Sequence, residues 1–167
     1  FADLRAARGG PDDEAAALLE QMVAVGTPRR AEGEKAYLKS SLQFVGSGVP
    51  AVRSTVKAWL RPHSDLTHHD LFAVADALWS HPIHECRLAA IELLSCRPLL
   101  VTLTDVPWIY NNLRDSHTWA LVDPLAGGVT ADLTARDPDG LLPHLDRWVH
   151  DGDFWIRDHR NADERRS

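Results

Sequence analysis

The chain has 167 residues, of which 44% are hydrophobic and 25% charged, with a formal net charge of −6. That length suits one domain able to bury roughly 70% of the surface exposed on unfolding, and the composition excludes a disordered or fibrous chain. The longest apolar runs fall far short of the ~20 residues of a membrane-spanning helix, and no secretory signal is present.

The chain opens on Phe1 rather than Met, so its beginning reads as trimmed, and a removed leader remains compatible with it. Apolar residues recur at helical spacing throughout and no stretch alternates like a half-buried strand, so the expectation is an all-α protein. A first helix starts after Pro11, with Asp12, Asp13 and Glu14 at its positive end and Ala17, Leu18, Met22 and Val23 facing inward, and stops at Gly26. A second holds Ala36, Tyr37 and Leu38, and Gly46, Ser47, Gly48, Val49 and Pro50 then mark a tight loop. A third spans 50–60, proline being tolerated at a first helical position, and Pro62 and Ser64 close it.

Thr67 caps the next helix, which ends at Ser80; Pro82 breaks the chain, and residues 83–97 complete a helical hairpin with Leu88, Ile91 and Leu94 inward and Trp79 and Ala89 buried. Cys86 and Cys96, the two cysteines, would then stand ~15 Å apart along one helix, beyond the ~7 Å Cα separation a disulfide allows. Both read as small buried residues of a reducing compartment. Thr104 and Pro107 open a helix over 108–114, another carries Trp119, Leu121 and Val122, and Pro124 is expected to kink or interrupt it. Residues 141–149 and then Phe154, Trp155 and Ile156 supply a last pair.

Second helices of successive pairs start near 83, 117 and 153, a period of roughly 35 that suits a helical repeat array. Trp79, His81 and Arg87 find counterparts at Trp148, His150 and Arg157. Stacked pairs of this kind build a curved solenoid with a concave face.

Charge is uneven. Residues 29–61 carry seven basic side chains (Arg29, Arg30, Lys35, Lys39, Arg53, Lys57, Arg61) against Glu32 and Glu34, a net +5 in a chain whose remainder is −11. By itself this is a solvated helix face; the sharper reading is a phosphate-facing patch on an acidic body. Trp119 and Asp123, four apart, share one helix face. On spacing alone they read as a core tryptophan beside a surface aspartate, whereas on a wet concave face the pair would stabilise a cation. His81, His84 and Cys86 cluster, with His68 and His69 before them, but His81 and His84 straddle Pro82 and no Cys-x-x-Cys pair exists, so the group does not read as a zinc site. Gly46-Ser47-Gly48 lacks the following lysine and preceding strand of a phosphate loop, and no serine sits in a nucleophile elbow.

Three stretches together resemble the DNA alkylation repair glycosylases of the AlkD-like, HEAT-like repeat family. They are Ala36-Tyr37-Leu38-Lys39 with Phe44-Val45-Gly46 and Val49-Pro50; Ala77-Leu78-Trp79 with Pro82, Glu85 and Leu88-Ala89-Ala90; and Ser116-His117-Thr118-Trp119-Ala120-Leu121-Val122-Asp123 with Trp148 and Asp153-Phe154-Trp155-Ile156-Arg157. The resemblance spans residues 30–157. It implies a single HEAT-like helical domain over 1–167, a solenoid of stacked antiparallel helix pairs that is incomplete at the C-terminus, with 158–167 an irregular or truncated tail. Asp158 stands where the family continues with a further arginine, no large apolar residue follows Ile156, and Gly48 stands where the family often has a polar side chain.

The resemblance further implies excision of cationic N3- or N7-alkylated purines from double-stranded DNA, with no metal and no cofactor. Asp123 would face the developing oxocarbenium ion and orient a water, and Trp119 would pack against the deoxyribose. Tyr37 would stand near the lesion, with Arg30, Lys35, Lys39, Gly48, Trp155 and Arg157 as further DNA-binding residues. The family does not require the lesion to be flipped into a deep pocket, unlike most glycosylases. The chain is expected to be monomeric, to bind no membrane, and to reside in a bacterial-type cytosol or nucleoid. The alternative from a different class is a non-catalytic HEAT-like module that binds DNA or protein through its concave face.

Overall fold

Local signals place the helices. In the computed structural model, which describes residues 9–157, the chain divides after Cys96 into two compact units. The expected tail at 158–167 lies outside the described residues.

In the first unit α1 (Pro11–Val25) starts on its proline with three acids in its first turn, and α2 (Pro28–Leu38) on Thr27, whose hydroxyl accepts from the Arg30 N–H. These arrangements satisfy or complement the otherwise orphaned N–H groups of a first turn. They are followed by α3 (Val49–Leu60), α4 (His68–Ser80) and α5 (His84–Cys96). The Thr67 cap appears as expected, its side chain accepting from the Asp70 N–H at 3.2 Å. Helices α1, α3, α4 and α5 pack on one another around Leu18, Met22, Val56, Leu71, Leu78, Ile91, Leu93 and Leu94, all fully or almost fully buried. Each such side chain contributes about 1.5–3 kcal/mol by leaving water. Helix α5 is covered on several sides at once, since Cys86, Leu88, Ala89, Ala90, Ile91, Leu93 and Leu94 are all buried.

The inward stripe of α1 is narrower than expected. Ala15, Leu18 and Met22 line it, while Ala17 and Val23 face solvent. Val23 follows Met22 by one residue, about 100° around the helix, which carries it off a stripe this narrow. Cys86 is buried as expected, its thiol pushed up to about 12 first by burial and then by the Glu85 charge, but Cys96 at the end of α5 is only half-buried. Helix α2 buries none of its residues. Its position rests instead on its capped start and on the loop that follows it.

The second unit begins with short 3₁₀ turns at Pro98–Leu100 and Leu103–Asp105, then α6 (Val106–Ser116) and α7 (Trp119–Pro124). Pro124 does interrupt the α pattern, because it has no N–H for a carbonyl one turn back. The chain does not leave the helix there. It widens into a π segment, Leu125–Thr130, in which the Thr130 hydroxyl donates to the Leu125 carbonyl at 2.9 Å, and returns to α geometry in α8 (Ala131–Arg136). Helices α9 (Pro138–Trp148) and α10 (Phe154–Arg157) follow. Leu113, Leu121, Val122, Leu125, Leu133 and Leu141 form this unit's core.

The described residues contain helices and no strand beyond one isolated bridge, Gln43 to Ile83, so the all-α expectation holds. The paired tryptophans also agree in burial, with Trp79 5% and Trp148 4% exposed. Their arginines differ: Arg87 lies over the Trp79 ring, 5.3 Å from its centroid, whereas Arg157 donates to the carbonyls of Asp151 and Gly152. Among the described residues no helix is long and apolar enough to cross a membrane.

Candidate nucleic-acid interface

All seven basic side chains of residues 29–61 are exposed, as is Tyr37 at 74%. Lys35 lies in the last turn of α2, and Lys39 caps its end in the left-handed conformation, φ 50°. Arg53 pairs with Glu92 at 3.8 Å, with the arginine side chain more than half exposed. Exposed pairs of that kind contribute ~1 kcal/mol or less.

The α2–α3 loop is far more ordered than its glycines suggest. The Glu85 side chain, 1% exposed in the first turn of α5, accepts from the Val45 N–H at 3.2 Å and from the Gly46 N–H at 2.8 Å. Beside it, Gln43 N–H donates to the Pro82 carbonyl and His84 N–H to the Gln43 carbonyl, each at 2.9 Å. Thr27 N–H donates to the Gly46 carbonyl at 3.3 Å, and Arg30 Nη1 to the Ser47 carbonyl at 3.0 Å. Gly48, with φ 82°, caps the start of α3 and leaves Arg30 Nη1 3.4 Å from where a Cβ would stand. Arg30, in the first turn of α2, and Gly48, on the loop anchored from α5, are therefore brought together. Glu34 of α2 senses the same surroundings, its carboxyl raised by burial and by Glu85 and lowered by Arg30.

His84 packs its ring on Phe44 of this loop, centroids 4.6 Å apart and planes 11° from parallel, and its Nδ1 has no hydrogen-bond partner. Burial lowers its pKa, against a smaller upward pull from Glu85. Above pH ~6.5 the imidazole is neutral in both folded and unfolded chains and its contribution is intact. As pH falls below that, the unfolded chain takes up a proton the folded one resists, and stability is lost. The thermal midpoint of the wild type is expected to drop between pH 7 and pH 5 more steeply than that of His84→Phe, which keeps the stacking and removes the proton. Equal slopes would show that His84 does not titrate against folding.

In the second unit, Trp119 opens α7 at 50% exposure and Asp123, partly exposed, follows one turn later. The Thr118 hydroxyl caps this helix, accepting from the Ala120 N–H at 3.4 Å. Helix α7 packs on α6, and so does α10, which carries the half-buried Trp155 and the exposed Arg157. The turn before α10 is fixed by Tyr110, whose hydroxyl donates to Asp151 at 2.6 Å. That bond holds the Asp151 carboxyl below the ordinary carboxylate range and pushes the Tyr110 phenol up. Arg114 lies over the Tyr110 ring and 4.0 Å from Asp153. Arg157 caps the same turn through its two backbone bonds.

Trp119 is half-exposed, so the reading of it as a core tryptophan does not hold. An aromatic face and a carboxylate one turn apart on a helix suit a cation, and exposed basic side chains beside an anchored loop suit phosphates. The model of a family described as DNA alkylation repair enzyme matches residues 18–159. The chain belongs to the DNA alkylation repair enzyme family. A comparison with curated proteins found no match.

Of the residues singled out by resemblance to this DNA alkylation repair family, Tyr37, Arg30, Lys35, Lys39 and Gly48 lie in the first unit, and Trp119, Asp123, Trp155 and Arg157 in the second. Sequence reasoning assigned no role to Glu85 or to the Tyr110–Asp151 pair. Glu85 left two traces, its place in the second of the resembling stretches and its position as an acid in a helix's first turn just after a proline break. The Tyr110–Asp151 contact, 41 residues apart, left none. Among the described residues no group of three or more His, Cys, Asp or Glu side chains is placed to hold a metal ion.

Proposed function

We propose that this chain is a DNA glycosylase that releases purines alkylated at N3 or N7 from duplex DNA. The observation that carries the reading is the half-exposed Trp119 one turn before Asp123, in a chain of the DNA alkylation repair family. Alkylation makes the purine cationic, so the C1′–N bond breaks with the bonding pair going to the base, which leaves neutral. Positive charge passes to the deoxyribose. Asp123 stabilises that charge and orients the water that adds to C1′, the water's proton going to solvent, while Trp119 packs against the sugar. Tyr37 stands by the lesion. Arg30, Lys35, Lys39, Gly48, Trp155 and Arg157 hold the duplex through its backbone, without reading sequence. The protein works as a monomer in the cytosol or nucleoid.

Single-turnover release of N7-methylguanine or N3-methyladenine from a methylated duplex tests the reading, alongside binding of the same duplex across salt concentrations. Release above the spontaneous rate is expected. Each phosphate contact contributes about 0.9 to the slope of log affinity against log salt, so replacing Arg30, Lys35 and Lys39 with alanine should flatten that slope by up to about 2.7. An unchanged slope would remove these residues from the interface. Tight, salt-dependent binding with no base release would instead favour a non-catalytic DNA-binding module.

A further inference from the structure

Glu85 is the most deeply buried acid among the described residues, and the proposed chemistry leaves it without a task. Its side chain is 1% exposed, and burying a carboxylate costs several kcal/mol unless partners compensate it. Here the backbone N–H groups of Val45 and Gly46, 40 and 39 residues away in sequence, converge on it. Bonds of this charge-assisted kind are roughly twice as strong as neutral ones. The peptide they hold is packed from the other side too. A Cβ at Gly46 would stand 2.3 Å from the Thr27 carbonyl oxygen and 2.6 Å from the Ala31 nitrogen, so the loop lies directly against the start of α2.

The next carbonyl along, that of Ser47, accepts from Arg30. A path thus runs from the Glu85 carboxylate through its bonds to the Val45 and Gly46 N–H groups, and along the backbone to the Ser47 carbonyl, to the Arg30 guanidinium. Arginine has many rotamers, and fixing them before the ligand arrives removes that ordering cost from binding. Helix α2 supplies little of this constraint through its own packing, since none of its residues is fully buried.

We infer that Glu85 is a positioning residue for DNA, presetting Arg30 through the Val45–Ser47 peptides so that its guanidinium meets a backbone phosphate. The inference rests on the DNA-binding reading above. Glu85 itself touches no DNA. Glu85→Gln keeps the size of the side chain but removes the charge that strengthens both bonds and puts an NH₂ against the Val45 N–H in place of one accepting oxygen, so the hold on both loop amides weakens.

The test is a double-mutant cycle with Arg30→Ala, read as affinity for a methylated duplex, together with amide exchange at Val45 and Gly46. Glu85→Gln is expected to weaken binding about tenfold and to speed exchange at both amides. In the Glu85→Gln background, Arg30→Ala is expected to cost little more, because the arginine is already unplaced. A merely structural Glu85 would lower thermal stability and leave the Arg30→Ala effect at full size, and that additivity would overturn the inference while the DNA-binding reading stands. Unchanged exchange at Val45 and Gly46 would overturn it as well. Absence of duplex binding by the wild type would remove both the reading and the inference. Should Glu85→Gln fail to fold, Glu85→Asp, which keeps the charge on a shorter stem, enters the same cycle with the same outcomes.

Discussion

Asp123→Asn is expected to slow base release by ~10² or more while leaving duplex affinity nearly unchanged. A carboxylate beside the anomeric carbon interacts most strongly where positive charge develops, so it favours the transition state over bound DNA. Asparagine keeps the shape and removes the charge. Because Leu121 and Val122 supply the buried contacts of α7 and Asp123 is partly exposed, the substitution should leave the fold intact. Trp119→Ala should lower both rate and affinity, since the half-exposed ring offers contact area as well as its electron-rich face. Single-turnover release and equilibrium binding on one methylated duplex separate the two effects. Equal release by wild type and Asp123→Asn would sink the mechanism; a fall in affinity that matches the fall in rate would make Asp123 a binding group only.

Gly46→Ala is expected to destabilise the protein by about 3 kcal/mol or more, at the upper end of single substitutions. Two causes add. With φ 72° the position lies in the left-handed region, where a side chain costs roughly 1–2 kcal/mol. The new Cβ would also meet the Thr27 oxygen and the Ala31 nitrogen, both backbone atoms that cannot swing aside as a side-chain end does. Relief requires α2 and the loop to part, which loosens Arg30 from Ser47 and should weaken duplex binding in step. Gly33→Ala is the control: it lies inside α2 with nothing within 4 Å of its Cβ position, and alanine there should stabilise by roughly 0.5–1 kcal/mol. Denaturant midpoints compare the three proteins. A Gly46→Ala cost no greater than about 2 kcal/mol, the conformational term alone, would mean that the loop does not press on α2.

Helix existence and ends were legible in the sequence because their causes are local. The Thr67 cap, the proline start at Pro11, the break at Pro82 and the interruption at Pro124 each act within about one turn, so a reader of residues finds them directly. The pairing of Trp119 with Asp123 was legible for the same reason, as a matter of helical period, and the order of motifs from Tyr37 to Arg157 pointed to the family that the match over 18–159 shows. Tertiary structure decided what those residues meet. Spacing placed Ala17 and Val23 inside and left Trp119 most simply read as core, yet all three face solvent. Which arc of a helix is covered depends on neighbours from other elements, not on the helix's own sequence. Pro124 announced an interruption, but whether the chain would turn away or widen into a π segment was settled by the packing of the second unit's core around Leu125 and Val129. Glu85 makes the same point most sharply. An acid is ordinarily a surface residue, and this one lies inside because two N–H groups some forty residues earlier are brought to it, a compensation that exists only once the chain has folded.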